Sequence, residues 1–181
     1  MIDSQGSIIR SGEITLVISS KKDAYALMRA ENAGIRTAVV ERKAYADNSV
    51  YQDALLAALE KEKPDLIVLA GFMSIISEKT IKQFENKIIN VHPSLIPSFC
   101  GDGFYGLKVH QAALDKGVKI TGATVHFVNE ITDGGKIILQ KAVEVLDGDT
   151  PESLQKRVME QAEWQILPQA VEKILGGECS L

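Results

Sequence analysis

The sequence predicts an α/β fold: a doubly wound, mostly parallel sheet with an antiparallel pair of strands near its C-terminal end. Short apolar runs alternate with segments of helical period from Ile14 to Phe84, which is the rhythm of βαβ units. The strand-like runs are apolar almost throughout, as expected when helices cover both faces of a parallel sheet. After Pro93 the rhythm changes, and a long loop and a helix give way to two extended segments joined by a turn.

The first strand is read at Ile14 to Ser19, followed by a helix at Ala24 to Ala33, a strand at Thr37 to Val40, a helix at Ser49 to Lys61 and a strand at Leu66 to Ala70. Pro64-Asp65 marks the start of the last of these. A helix around Ser77 to Phe84 leads to a strand at Ile88 to His92, which Pro93 ends because it has no N–H for the ladder. Pro93 to Phe104, with its prolines and glycines, reads as a long ordered loop of the kind that often carries function. A helix from about Tyr105 to Asp115 follows, with Gly117 as its stop. The strands Gly122 to Val128 and Lys136 to Val145 are joined by Asn129 to Gly135, whose Thr-Asp-Gly-Gly end is turn chemistry. Asp149-Thr150-Pro151-Glu152 opens a final helix with a cap and a first-turn proline. It runs through Trp164, Pro168 is expected to kink or restart it, and Gly176-Gly177 ends it.

A chain of 181 residues with no internal repeat or linker suits one domain, so residues 1–181 are expected to form one unit. A 45% hydrophobic, 24% charged composition is that of a packed globular protein rather than a disordered one. The net charge of −4 removes the broad positive field that nucleic acid or an anionic membrane surface would require. The longest apolar stretch, Leu66 to Ile76, is broken by Gly71 and Ser74 and falls short of the ~18 residues of a membrane span. The opening Met1-Ile2-Asp3-Ser4 lacks the basic and apolar regions of a secretory signal. The two cysteines, Cys100 and Cys179, have neither metal-ligand nor CxxC spacing. A cytoplasmic protein without a metal is therefore expected, with Cys100 as a small filler rather than a nucleophile.

Side chains two apart on a strand share a face, so Asn90 and His92 point the same way at the carboxyl end of their strand. Ligands of open α/β sheets bind outside that end. Two readings stay open on spacing alone: a polar pair that binds a ligand, or one that caps the strand and holds the next loop. Asp133, before Gly134-Gly135, leans further toward ordinary turn chemistry, since Asp before Gly-Gly is a common turn. Thr124 and His126 also share a face, and His126 reads as a buried, satisfied histidine. His110 reads as a packing or capping residue.

The stretch Ile89-Asn90-Val91-His92-Pro93-Ser94-Leu95-Ile96-Pro97-Ser98-Phe99, then Gly122-Ala123-Thr124-Val125-His126-Phe127-Val128 and Asp133-Gly134-Gly135, resembles the glycinamide ribonucleotide formyltransferases. The likeness extends upstream through Leu69-Ala70-Gly71-Phe72-Met73 and downstream through Ile137-Ile138-Leu139-Gln140 to Glu163, so it covers nearly the whole chain. It implies the formyltransferase variant of the doubly wound fold. It also implies transfer of a formyl group from 10-formyltetrahydrofolate, as cosubstrate, to the amine of glycinamide ribonucleotide in purine synthesis. By the same resemblance, Asn90 would donate to the oxyanion of the tetrahedral intermediate. His92 would act as general acid, and Asp133 would hold His92 and favour its charged form. The folate pocket would use Met73, Ser74, Ile75, Ile76 and Asn90 with the segment Asn129, Glu130, Ile131, Thr132 and Asp133, and Glu163 would contact the ribose.

The chain departs from the family's pattern in two places. Family members often carry a basic residue where this chain has Ser74. The family also opens with a strand and a glycine-rich phosphate loop, whereas Met1-Ile2-Asp3 matches the end of the helix after that loop. The expectation is of a chain truncated relative to the family, weak in nucleotide binding and less stable than one extended upstream, since Gly101-Asp102-Gly103 is a poor phosphate site. Formyltetrahydrofolate deformylases add a regulatory domain and usually a second histidine where this chain has Pro93. Methionyl-tRNA formyltransferases add a C-terminal domain and a basic RNA surface. A folate-binding remnant without catalysis is the reading from another class.

Overall fold

The apolar runs of the sequence form strands in a computed structural model that describes residues 1–179. The chain divides into two compact units, Met1–Asp65 and Leu66–Leu181. In the first, β1 (Leu16–Ser19) pairs in parallel with β2 (Arg36–Val39) across α1 (Tyr25–Asn32). The strand starts at Leu16 rather than Ile14 because the Ile14 N–H is donated to the Gln5 side chain at 3.0 Å. Its residues are half-buried rather than enclosed. The helix α2 (Asn48–Glu62) opens where the Asp47 carboxylate accepts from the Val50 N–H, and it closes on Lys63 in the left-handed region at φ 52°. An ion pair between Arg36 and Glu62 ties β2 to α2.

In the second unit the sheet order is β3-β4-β5-β6. β3 (Ile67–Leu69) and β4 (Ile88–His92) are parallel, linked through α3 (Glu78–Gln83), which the Ser77 side chain caps. β5 (Ile120–Phe127) runs antiparallel to β4 on one side and to β6 (Ile137–Glu144) on the other. The α/β fold predicted from the sequence is therefore present, with β5 alone opposing the direction of its sheet. Ile89, Ala123 and Val125 of β4 and β5 form the core with Leu154, Val158 and Ala170 from the C-terminal helices, all fully buried.

Helix boundaries differ from expectation where a backbone constraint intervenes. The helix α4 (Leu107–Lys116) starts two residues late because Gly106, at φ 55°, cannot be helical. The last helix is interrupted ahead of Pro168, not at it. α5 (Pro151–Val158) passes through a π turn at Met159–Glu163 into α6 (Trp164–Leu175), which contains Pro168. A proline ring meets the carbonyl four residues back, here that of Trp164, and a widened turn just before it relieves the clash.

The junction of β6 and α5 is held by Asp149, which takes a two-armed contact from Arg157 at 2.5 and 2.7 Å. The Leu146 N–H and the Ser153 hydroxyl complete its shell at 2.8 Å each. Only 4% of the Asp149 side chain is exposed, and the Arg157 hydrogen bonds above all hold its carboxyl well below the ordinary range. A depressed carboxyl contributes stability that is present above its unfolded value near 3.8 and lost as pH falls through the folded one. Asp149→Asn is expected to cost on the order of 3 kcal/mol at pH 7, seen in a denaturant titration, with the gap from wild type closing in acid. A gap that persists unchanged at pH 3 would contradict this account.

Candidate active site

The register of β4 against β5 sets His126 opposite Asn90 and Thr124 opposite His92. Residues paired across two strands share a face, so four polar side chains cluster on one side of an otherwise apolar pair of strands. A register irregularity between Val125 and His126 marks the same place. Asp133 joins the cluster from the loop between β5 and β6. Its Oδ2 lies 3.4 Å from His92 Nδ1, and its Oδ1 lies 3.5 Å from His126 Nε2. The side chain of Asp133 is 8% exposed, and those of His92 and His126 are 6% and 3%.

The loop can make this approach because of two special backbone positions. Asp133 is left-handed at φ 55°, a conformation that aspartate tolerates better than most residues. Gly135 passes so near β5 that a Cβ there would stand 1.7 Å from the Phe127 carbonyl oxygen. Asp133 also accepts from the Gly101 N–H at 2.9 Å. Burial alone would raise its carboxyl, but bonding from His126 and Gly101 and the charges of His92 and His126 outweigh it and hold it below the ordinary range.

The acceptors around each ring constrain its hydrogens. His92 Nε2 lies 2.8 Å from the Phe99 carbonyl, so that nitrogen carries the hydrogen, and Nδ1 faces Asp133. Only the doubly protonated ring donates to both. His126 Nδ1 faces the Phe127 carbonyl at 2.8 Å and is likewise a donor. Its Nε2 is 3.3 Å from Asn90 Nδ2, from which the neutral ring accepts. His126 is therefore buried and satisfied as the sequence suggested, but it is also part of the cluster, which the sequence reading did not foresee. The signal was the alternation that places Thr124 and His126 on one face.

Thr124 organises the loop after β4. Its hydroxyl donates to the Ser94 carbonyl at 2.7 Å and accepts from the Ile96 N–H at 3.1 Å, while Gln140 bridges Thr124 and the Ile96 carbonyl at 3.0 Å each. This network fixes the segment that delivers the Phe99 carbonyl and the Gly101 N–H. Cys100 donates its thiol to the Pro97 carbonyl at 3.3 Å. Burial and the charge of Asp133 push that thiol up, away from the thiolate a nucleophile needs.

The remaining candidates lie around this centre in the sequence. On the loop after β3, Met73 and Ile75 are exposed, Ser74 is half-buried and Ile76 is in the core. Ile131 is exposed in the loop that holds Asp133. Its neighbours are tied down: Asn129 accepts from the Ile131 N–H, Glu130 faces Lys82 at 3.6 Å, and Thr132 bonds Asp102. Glu163 ends the π turn, which packs on β5 and β6, and burial pushes its carboxyl up to about 7. Among the described residues, no group of three or more His, Cys, Asp or Glu is placed to hold a metal ion. No helix among them is long and apolar enough to cross a membrane.

Comparison with known proteins gives this cluster a context. A family model described as formyl transferase matches residues 2–171. The phosphoribosylglycinamide formyltransferase of Haemophilus influenzae is 42% identical over 169 residues, covering 93% of this chain and 77% of that protein. The trifunctional purine biosynthetic protein adenosine-3 of Gallus gallus is 45% identical over 165 residues, 91% of this chain, but the chain spans only 16% of that protein's length. The crystal structure of glycinamide ribonucleotide transformylase 1 from Symbiobacterium toebii superimposes with a TM-score of 0.89 at 39% identity, covering 97% of this chain and 80% of that one. The chain belongs to the formyl transferase family, on the branch of the phosphoribosylglycinamide formyltransferases.

Proposed function

We propose that the chain transfers the formyl group of 10-formyltetrahydrofolate to the amine of glycinamide ribonucleotide, as part of one formyltransferase domain acting on small molecules in the cytoplasm. The observation that carries this reading is the convergence of half-buried Asn90 with the buried side chains of His92 and Asp133 in one polar cluster, with His92 between a carboxylate and a carbonyl. Attack of the amine on the formyl carbon forms a C–N bond and a tetrahedral oxyanion. Collapse of that intermediate breaks the bond to the folate nitrogen, which gains a proton as the amine loses one. An amide nitrogen has two hydrogens, so Asn90 retains one for the oxyanion while the other meets His126. His92 hands its proton to the departing folate nitrogen and recovers one from the former ammonium, and Asp133 steadies the imidazolium through both steps.

The pterin ring is assigned to the apolar surface of Met73, Ile75 and Ile131 and to the backbone of Asn129 to Asp133, with Ile76 supporting from the core. Ser74 offers a hydroxyl and no charge to the folate tail. The Glu163 carboxyl is assigned to the ribose hydroxyls.

His92→Ala and Asp133→Asn are each expected to lower kcat at least ~10²-fold while leaving folate affinity largely intact, because their contribution falls on the transition state. Asn90→Ala is expected to lose both turnover and some binding. Steady-state assays beside a folate titration measure these effects, and near-normal turnover in either of the first two variants would remove that residue from the mechanism. Folate binding by the wild-type protein without any formyl transfer would make the chain a binder instead. At Glu163 the raised carboxyl contributes stability that is full below its unfolded value of 4.5 and lost as pH rises to about 7. Glu163→Gln should therefore melt higher than wild type at pH 8 and level with it near pH 4.5, while its KM for the nucleotide rises. Equal melting curves at pH 8 would refute the assigned burial cost.

A further inference from the structure

The contacts of the Asp133 carboxylate are uneven. Its two imidazole neighbours stand at 3.4 and 3.5 Å, beyond ordinary hydrogen-bond length, whereas the Gly101 N–H donates to it at 2.9 Å. Where the carboxylate sits against His92 is therefore set less by the histidines than by the fit of two backbone segments.

Those segments are a pair of facing turns. Residues 101–104 close where the Phe104 N–H donates to the Gly101 carbonyl at 3.1 Å, and residues 131–134 close where the Gly134 N–H donates to the Ile131 carbonyl at 2.9 Å. Each turn has its third residue in the left-handed region, Gly103 at φ 90° and Asp133 at φ 55°. The first turn is the anchored one. The Phe104 ring lies edge-on to that of Phe99 at 6.4 Å between centroids, and the Phe99 carbonyl accepts from His92.

Two bonds join the turns, and they use consecutive residues on both sides. Gly101 meets Asp133, and Asp102 Oδ1 accepts from the Thr132 hydroxyl at 3.1 Å. One hydrogen bond leaves a turn free to swing about it, and a second bond one residue away removes that freedom. Asp102 and Thr132 are both exposed, so their bond adds little to the stability of the fold. Its effect falls on alignment, where a small misplacement of a group at the reacting centre is costly.

We propose that Asp102 and Thr132 are positioning residues for formyl transfer, whose bond locks the two turns in register and so fixes the Asp133 carboxylate against His92. This rests on the function proposed above. No covalent step is added.

The test compares Asp102→Ala and Thr132→Val, which break the bond, with Asp102→Asn and Thr132→Ser, which keep an acceptor and a donor. Loss of one exposed hydrogen bond corresponds to about a fivefold change. We expect each of the first two variants to lower kcat by about that factor at an unchanged melting temperature, and each of the conservative variants to recover most of it. Combining Asp102→Ala with Thr132→Val should cost no more than either alone, and Asp102→Ala should change nothing further in an Asp133→Asn background, where the carboxylate is already gone. Wild-type kcat in Asp102→Ala overturns the inference. So do equal losses in Asp102→Asn and Asp102→Ala, or losses that multiply in either combination. A wild-type protein that transfers no formyl group refutes the proposed function, and this inference with it.

Discussion

A carboxylate that is almost wholly removed from water must be met by hydrogen donors or positive charge, and much of the second unit is arranged to satisfy that demand at Asp133. Two imidazoles from different strands and one backbone N–H surround it. The two imidazoles could not be supplied without the antiparallel register of β4 and β5, which sets His126 across from Asn90 and brings both histidines to one face. Nor could the carboxylate arrive without a left-handed Asp133 and a glycine at position 135, where any side chain would strike β5. The turn chemistry around Asp133 and its place in the cluster are thus one feature, and the bland and the functional readings of Asp-Gly-Gly do not compete.

The loop after β4 acts as the counterpart of that carboxylate. It presents a carbonyl to His92 and an N–H to Asp133 from residues two apart, Phe99 and Gly101. Loops usually scatter over the surface, but this one is pinned by the hydroxyl of Thr124, which is fully buried and shared among Ser94, Ile96 and Gln140. A network centred on a buried hydroxyl is stiff, because breaking a bond there strands a polar group in a low-dielectric interior. The stiffness matters for the proposed chemistry, since a proton carrier that wanders by an ångström loses much of its effect.

How far this was legible in the sequence depends on whether the cause was local. Strand identity and the pairing of Asn90 with His92 follow from period-two alternation, and the helix starts at Asp47, Ser77 and Thr150 follow from cap chemistry. Ile14 was misread because a side chain 9 residues away takes its N–H. Tyr105 lies outside the helix because Gly106 takes φ 55°, a conformation that glycine permits but does not announce. Pro168 announced a break, but helices can relieve a proline one turn earlier, and the π turn at Met159–Glu163 has no composition of its own. The role of Asp133 was beyond spacing altogether, because the contact joins elements 41 and 7 residues apart through a loop that folds back on its strand.

The cluster also couples its members through shared atoms. His126 Nδ1 is committed to the Phe127 carbonyl, so the whole behaviour of that ring is expressed at Nε2. In the neutral ring Nε2 accepts from Asn90 and fixes which end of the amide faces it, leaving nitrogen rather than oxygen as the donor side. In the protonated ring the same atom donates toward Asp133 and has no lone pair for Asn90. The amide would then be satisfied only by turning over, which would present its oxygen to His126 and reorient its N–H groups. The oxyanion donor proposed at Asn90 and a charged His126 thus compete for one geometry.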